Sequence, residues 1–168
     1  FLNATEPYID SKKIAGYGAS AGGMLIGYVI NERPDLLKVA VTDVPSVDVL
    51  NFILDETLPG ATYHYSELGN PKEKKYYEYI KSYSPYDNIK RQNYPAIYAT
   101  TGLFDSRVMY WEPIKWIAKL REHNQSLAPI VIDITESGHS GSRVKDEYLK
   151  QKARMYNFIL LNIDTPTH

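Results

Sequence analysis

The sequence predicts an α/β fold in which a mainly parallel sheet is flanked by helices. Two observations carry that prediction. Short apolar runs alternate with segments of helical spacing from one end of the chain to the other, and strands separated by helices pair in parallel through right-handed crossovers. No internal repeat or low-complexity tract interrupts the alternation. Residues 14–19 read as a short apolar strand. Residues 21–31 keep helical spacing through Met24, Leu25, Tyr28 and Val29, and Pro34 ends that helix because proline disfavours helical geometry in the residue before it. Val39, Ala40 and Val41 mark a second strand over 38–42. Residues 43–70, with Pro45, Pro59, Gly60 and Gly69, read as a long irregular segment broken by one short helix over 49–54. Pro71 is expected to open a polar helix running to about residue 81. A third strand follows over 96–101, then a helix over 112–121 with Pro113 at an early, tolerated position. Residues 129–134 form the fourth strand, alternating into Asp133, and 145–161 a closing helix.

The chain has 168 residues, one domain of ordinary size, and its 43% hydrophobic and 23% charged residues mark it as globular rather than disordered. Nineteen basic residues face twenty acidic ones. That balance leaves no electrostatic footprint for nucleic acid. The longest basic stretch, residues 72–75, is interrupted by Glu73 and reads as a solvated helix face. There are no cysteines, which excludes disulfides and thiolate metal sites and suits a reducing compartment; a cytoplasmic location is the expectation. No stretch approaches the roughly 20 apolar residues that cross a bilayer, and neither a membrane partner nor a metal or other cofactor is expected. No signal-peptide shape appears at Phe1. Phe1-Leu2 look like the middle of an element, so the natural start is expected to lie upstream.

Gly18-Ala19-Ser20-Ala21-Gly22 fits the G-x-S-x-G nucleophile elbow, with Gly23 behind it. A serine on a strained strand-to-helix turn needs neighbours nearly without side chains two residues away on either side. The helix that follows points its N-terminus at the site, and the backbone N–H of Ala21 is placed to donate to a developing oxyanion.

In such a site the serine is followed along the chain by an acid and then a histidine, each at the C-terminal end of a strand. His123 falls at a helix end, where it caps carbonyls; His168 is the last residue; His64 precedes any suitable acid. His139, in Gly138-His139-Ser140-Gly141 just past the fourth strand, is the histidine in the right place. Asp105 follows the third strand in Thr101-Gly102-Leu103-Phe104-Asp105. Asp87 lies ahead of that strand and Asp133 inside the next, so Asp105 is favoured on position. His139 would take the Ser20 proton, Asp105 would hold the imidazole tautomer, and an acyl-enzyme would form on Ser20.

At these residues the chain resembles the prolyl oligopeptidase family of serine peptidases, and within it the oligopeptidase B (protease II) branch. The resemblance runs over about residues 9–160. It is carried by Ser20-Ala21-Gly22-Gly23, Asn31-Glu32-Arg33-Pro34-Asp35-Leu36, Val44-Pro45-Ser46-Val47-Asp48-Val49, Gly69-Asn70-Pro71, Tyr83-Ser84-Pro85-Tyr86-Asp87, Tyr110-Trp111-Glu112-Pro113 and Ser137-Gly138-His139. It implies the C-terminal half of an α/β-hydrolase fold acting on short peptides, with Ser20, Asp105 and His139 as its triad. The rest of such an enzyme, a size-filtering β-propeller and the early hydrolase strands, would lie N-terminal to this chain. Arg107 matches an arginine that binds a substrate carbonyl, a task suited to a guanidinium's several donors; an ordinary salt bridge to Asp105 or a loop carboxylate is the competing expectation.

The sequence departs from the branch at its specificity pocket. Two glutamates usually precede the Gly-Asn-Pro segment and favour cleavage after Arg or Lys. Anchored on Gly69-Asn70-Pro71, those positions are His64 and Ser66, with Glu67 retained beside them. A pocket without carboxylates loses most of its preference for a cationic side chain, because desolvating the cation goes uncompensated. The elbow reads Gly-Ala-Ser where the family commonly has Gly-Gly-Ser. With four strands instead of about eight, the strand leading into Ser20 would leave an apolar sheet edge open. The chain alone is therefore expected to be weak or inactive, or to form homo-oligomers over that edge. Two further readings stay open: an esterase of the same fold, and a catalytically inactive fragment.

Overall fold

Small and β-branched apolar residues in unbroken runs, such as Val39-Ala40-Val41-Thr42 and Ala96-Ile97-Tyr98-Ala99, suit strands covered on both faces, and both runs are buried. The computed structural model describes residues 5, 6 and 8–164; Phe1, Leu2 and His168, considered above, lie outside them. The four expected strands form as β1 (Ala15–Ala19), β2 (Val39–Asp43), β3 (Ala96–Gly102) and β4 (Ile130–Thr135). They pair in parallel in the order β1-β2-β3-β4. The register sets Ala19 opposite Asp43 and Gly102 opposite Thr135, so the C-terminal strand ends line one rim of the sheet.

Among the described residues six α-helices accompany the strands: α1 (Ala21–Glu32), α2 (Val49–Leu54), α3 (Tyr65–Leu68), α4 (Lys74–Tyr83), α5 (Trp111–His123) and α6 (Lys145–Ile163). On one sheet face Ile30 of α1 and Trp116, Ile117 and Leu120 of α5 pack on Ala40, Ile97 and Ala99. On the other, α6 sets Met155 on Val39, Val41 and Tyr98. A third cluster joins Val49, Leu50 and Ile53 of α2 to Ile80 of α4. Buried Asn31 ties the end of α1 to the segment before β3, donating to the Pro85 carbonyl at 2.9 Å and accepting from the Tyr94 hydroxyl at 3.1 Å. Among the described residues β1 is an edge strand, and the side chains of Ala15, Tyr17 and Ala19 are exposed.

Two boundaries differ from the sequence expectation. The helix expected from Pro71 starts at Lys74. Asn70 Oδ1 accepts the Lys72 N–H at 3.0 Å, and the Asn70 carbonyl accepts that of Glu73, so Asn70-Pro71 spend the first turn on a local Asx turn. The 43–70 segment is also more ordered than expected, adding a 3-10 turn (Thr62–His64) and α3 to the short helix α2.

Candidate active site

Ser20 joins β1 to α1 with φ 52° and ψ −119°. A residue bearing a Cβ enters this region only where surrounding structure over-determines it. Here the Ser20 N–H donates to the Asp43 carbonyl at 2.9 Å, and the Ser20 carbonyl accepts from Met24 and Ser46, each at 3.2 Å. A Cβ on Gly18 would overlap the Gly22 carbonyl, and one on Gly23 would overlap Pro45, whereas a Cβ on Gly22 meets nothing within 4 Å. The tight turn thus requires Gly18 and Gly23, while Gly22, the second glycine of the motif, is not forced by space. Serine in this place usually caps its helix. Ser20 makes no side-chain cap bond, so its hydroxyl stays free. Ala21 opens α1, and a first helical N–H has no acceptor within its own helix.

Asp105 and His139 meet behind this turn. Asp105 Oδ2 accepts from His139 Nδ1 at 2.8 Å, with the carboxylate side chain fully buried and the imidazole 15% exposed. The other oxygen, Oδ1, accepts the N–H groups of Arg107 at 2.8 Å and Val108 at 3.0 Å. The carboxylate is therefore fixed before the histidine reaches it. The two loops approach closely because Gly102 lacks a side chain: a Cβ there would overlap the Ser137 carbonyl, which accepts the Phe104 N–H at 3.0 Å. Gly141, at φ 81°, closes the histidine loop by donating to the Gly138 carbonyl. Nδ1 is thus committed to Asp105, which leaves Nε2 as the ring's other nitrogen. Ser20 and His139 line one cavity of about 270 Å³, together with Ser137, Ser140 and Gly141. No hydrogen bond joins the Ser20 hydroxyl to the His139 imidazole; the two meet only as walls of this cavity.

The competing residues are otherwise engaged. Asp133 accepts from the Tyr98 hydroxyl and Arg154 Nε, both at 2.8 Å. His123 bonds the Lys119 carbonyl at 2.9 Å, the capping task expected of it. The Arg107 guanidinium is exposed and forms no salt bridge with Asp105; only its backbone N–H binds there. His64 lies against the rings of Phe52 and Tyr63 and 3.5 Å from Glu67, while the Ser66 hydroxyl donates to the Tyr63 carbonyl. None of Arg107, His64, Ser66 and Glu67 lines the cavity shared by Ser20 and His139.

The sequence reading missed the polar residues on the cavity's other wall. Asp43, at the end of β2, accepts from Thr100 Oγ1 at 2.5 Å, Tyr17 Oη at 3.1 Å and Lys152 Nζ at 2.9 Å. Burial pushes the Asp43 carboxyl up, but the bonds from Thr100 and Lys152 outweigh it and hold the group below its ordinary value. Its place one residue past the second apolar run was a signal for it; nothing in sequence spacing points to Lys152. Among the described residues no group of three or more His, Asp or Glu side chains is disposed to hold a metal ion, and no helix is long and apolar enough to cross a membrane.

The prolyl oligopeptidase family model matches residues 1–165. The dipeptidyl aminopeptidase BI of Pseudoxanthomonas mexicana is 46% identical over 156 residues, 92% of this chain and 22% of the relative. The protease 2 of Moraxella lacunata is 43% identical over 156 residues, 92% of this chain and 23% of its own length. Among solved structures, oligopeptidase B from Leishmania major superposes with a TM-score of 0.92 at 43% identity, covering 96% of this chain and 22% of that one. Oligopeptidase B from Trypanosoma brucei, with covalently bound antipain, gives 0.92 at 38% identity, covering 99% of this chain and 23% of its own. The chain spans less than a quarter of the length of these relatives.

Proposed function

Since the chain belongs to the prolyl oligopeptidase family, we propose that it carries the catalytic residues of a serine peptidase that hydrolyses short peptides through an acyl-enzyme on Ser20. The observation that carries this reading is the 2.8 Å bond from His139 Nδ1 to an Asp105 carboxylate already held by two backbone N–H groups, at a cavity that also holds an uncapped, strained serine. The mechanism follows from those positions. His139 Nε2 takes the Ser20 proton as Oγ attacks the substrate carbonyl, and Asp105 stabilises the imidazolium. The Ala21 N–H donates to the oxyanion. His139 then protonates the departing amine, and a water activated by the same nitrogen attacks the acyl-enzyme to release the acid and restore the hydroxyl.

Arg107, with its guanidinium unpaired and exposed, is the residue we assign to a substrate carbonyl. The segment of His64, Ser66 and Glu67 is assigned to the substrate side chain. With one exposed carboxylate there, a strict requirement for a basic residue is not expected. The open β1 edge would receive the remainder of a longer protein, of which the relatives' lengths are the support, or a second copy of the chain. A cysteine-free composition supports a cytoplasmic setting.

A fluorophosphonate probe tests the reading. Labelling should occur at Ser20 and vanish in Ser20→Ala, as read by intact mass and peptide mapping. An unlabelled Ser20 in folded protein would leave an inactive fragment as the better description. Comparing matched amide and ester substrates then separates peptidase from esterase, since an esterase would hydrolyse the ester alone.

A further inference from the structure

Ser20 and a residue beside it carry backbone strain. Ser20 stands at φ 52° and Val44 at φ 42°, and a β-branched residue is rarely found there. They are neighbours through the backbone, since the Ser20 N–H donates to the carbonyl of Asp43, the residue before Val44. Thr100 braces this second turn, accepting the Val44 N–H at 3.1 Å while its own hydroxyl donates to Asp43 Oδ1 at 2.5 Å. Asp43 Oδ2 takes the Tyr17 hydroxyl from β1 and the Lys152 ammonium from α6. The helix α6 follows directly from the loop that carries His139. One carboxylate therefore touches β1, which ends at Ser20, Thr100 of β3, which braces the Val44 turn, and α6, which follows the His139 loop. Asp43 and Lys152 are each about one-quarter exposed at the side chain, and both line the cavity of Ser20 and His139.

We propose that the Asp43–Lys152 ion pair is a positioning device, fixing the Ser20 turn against the His139 loop so that hydroxyl and imidazole meet at the cavity. The inference rests on the serine-peptidase reading. The pair is about three-quarters buried and spans 109 residues of sequence, so it ties the two sides of the site in register. A small misplacement between nucleophile and base is amplified in rate, because reacting groups must meet within a narrow range of distance and angle.

The test is the second-order rate of fluorophosphonate labelling at Ser20, followed across pH at a temperature well below the melting of every variant. Lys152→Met and Asp43→Asn should each slow labelling at least tenfold, and the double variant should be no slower than the slower single, since both remove one brace. Lys152→Arg should recover most of the rate. The plateau should fall while the pH midpoint stays in place. Lys90→Met, which removes the exposed pair with Glu32, should label like the parent. Wild-type rates in Lys152→Met and Asp43→Asn, with the parent labelling normally, would overturn this inference and leave the peptidase reading intact. A shifted midpoint, or a Lys152→Arg as slow as Lys152→Met, would also overturn it, because the pair would then act on the charge of His139 or on folding alone. Failure of the parent to label would overturn both readings. Asp43→Asn preserves side-chain size and carries the decision where Lys152→Met does not fold.

Discussion

Asp105 does two things with one carboxylate, and the division between its oxygens makes a prediction at the scale of a single atom. Oδ1 is committed to the Arg107 and Val108 N–H groups and Oδ2 to His139 Nδ1. In Asp105→Asn the amide oxygen must keep the place of Oδ1, since the alternative leaves two buried donors facing an NH2 group. The amide nitrogen then faces Nδ1 and forces that nitrogen to accept, which moves the ring proton to Nε2. The nitrogen that should take the Ser20 proton already carries one. Catalysis should fall by about four orders of magnitude, the scale known for a wrong tautomer in such triads, while stability changes little because the backbone bonds persist. Single-turnover acylation or probe-labelling rates measure the first and urea unfolding the second; a loss under tenfold would count against His139 as the base.

The elbow is an element whose parts the sequence motif treats alike and the fold does not. Gly23 packs on Pro45, and a Cβ there would overlap a proline ring fixed beside the Ser46–Ser20 bond. Gly22 has open space around it and no left-handed φ. Gly23→Ala should destabilise by about 1–3 kcal/mol, the usual cost of overpacking, and displace Ser20. Gly22→Ala should be neutral or up to about 1 kcal/mol stabilising, since alanine is the better helix former. Urea midpoints of the two variants check the contrast. The same comparison marks what the sequence made legible. Strand number, strand order along the chain and the three residues at strand ends were readable, because apolar runs and the elbow motif are local signals. The start of α4 was not, because Asn70 diverted the first turn into an Asx bond. Nor was the grip on Asp43, because Tyr17, Thr100 and Lys152 reach it from three separate elements.

At the scale of the whole molecule, one buried carboxyl ties folding to pH. Glu112, in the first turn of α5, is 3% exposed and accepts the N–H of Asp48 at 3.3 Å, just ahead of α2. Asp48 is itself buried and paired with Lys115 at 2.5 Å. Burial pushes the Glu112 carboxyl up to about 7; the Asp48 N–H pulls it down and the Asp48 charge pushes it up again. The folded protein therefore holds a proton on Glu112 that the unfolded chain, near its ordinary 4.5, has already released. A raised folded value means stability fully present below pH of about 4.5 and lost as pH rises through about 7, with up to about 3 kcal/mol at stake for a shift of this size. Glu112→Gln keeps an acceptor for Asp48 and cannot ionise. Its urea midpoint should match the parent near pH 5 and exceed it near pH 8, whereas parallel pH profiles for the two proteins would show that Glu112 does not carry the dependence. The effect reaches the candidate site through the chain itself: α5 begins just after the Asp105 loop, and the segment before α2 begins at the Val44 turn against Ser20. Weakening the Asp48–Glu112 contact at high pH should therefore loosen the supports of Asp105 and Ser20 together.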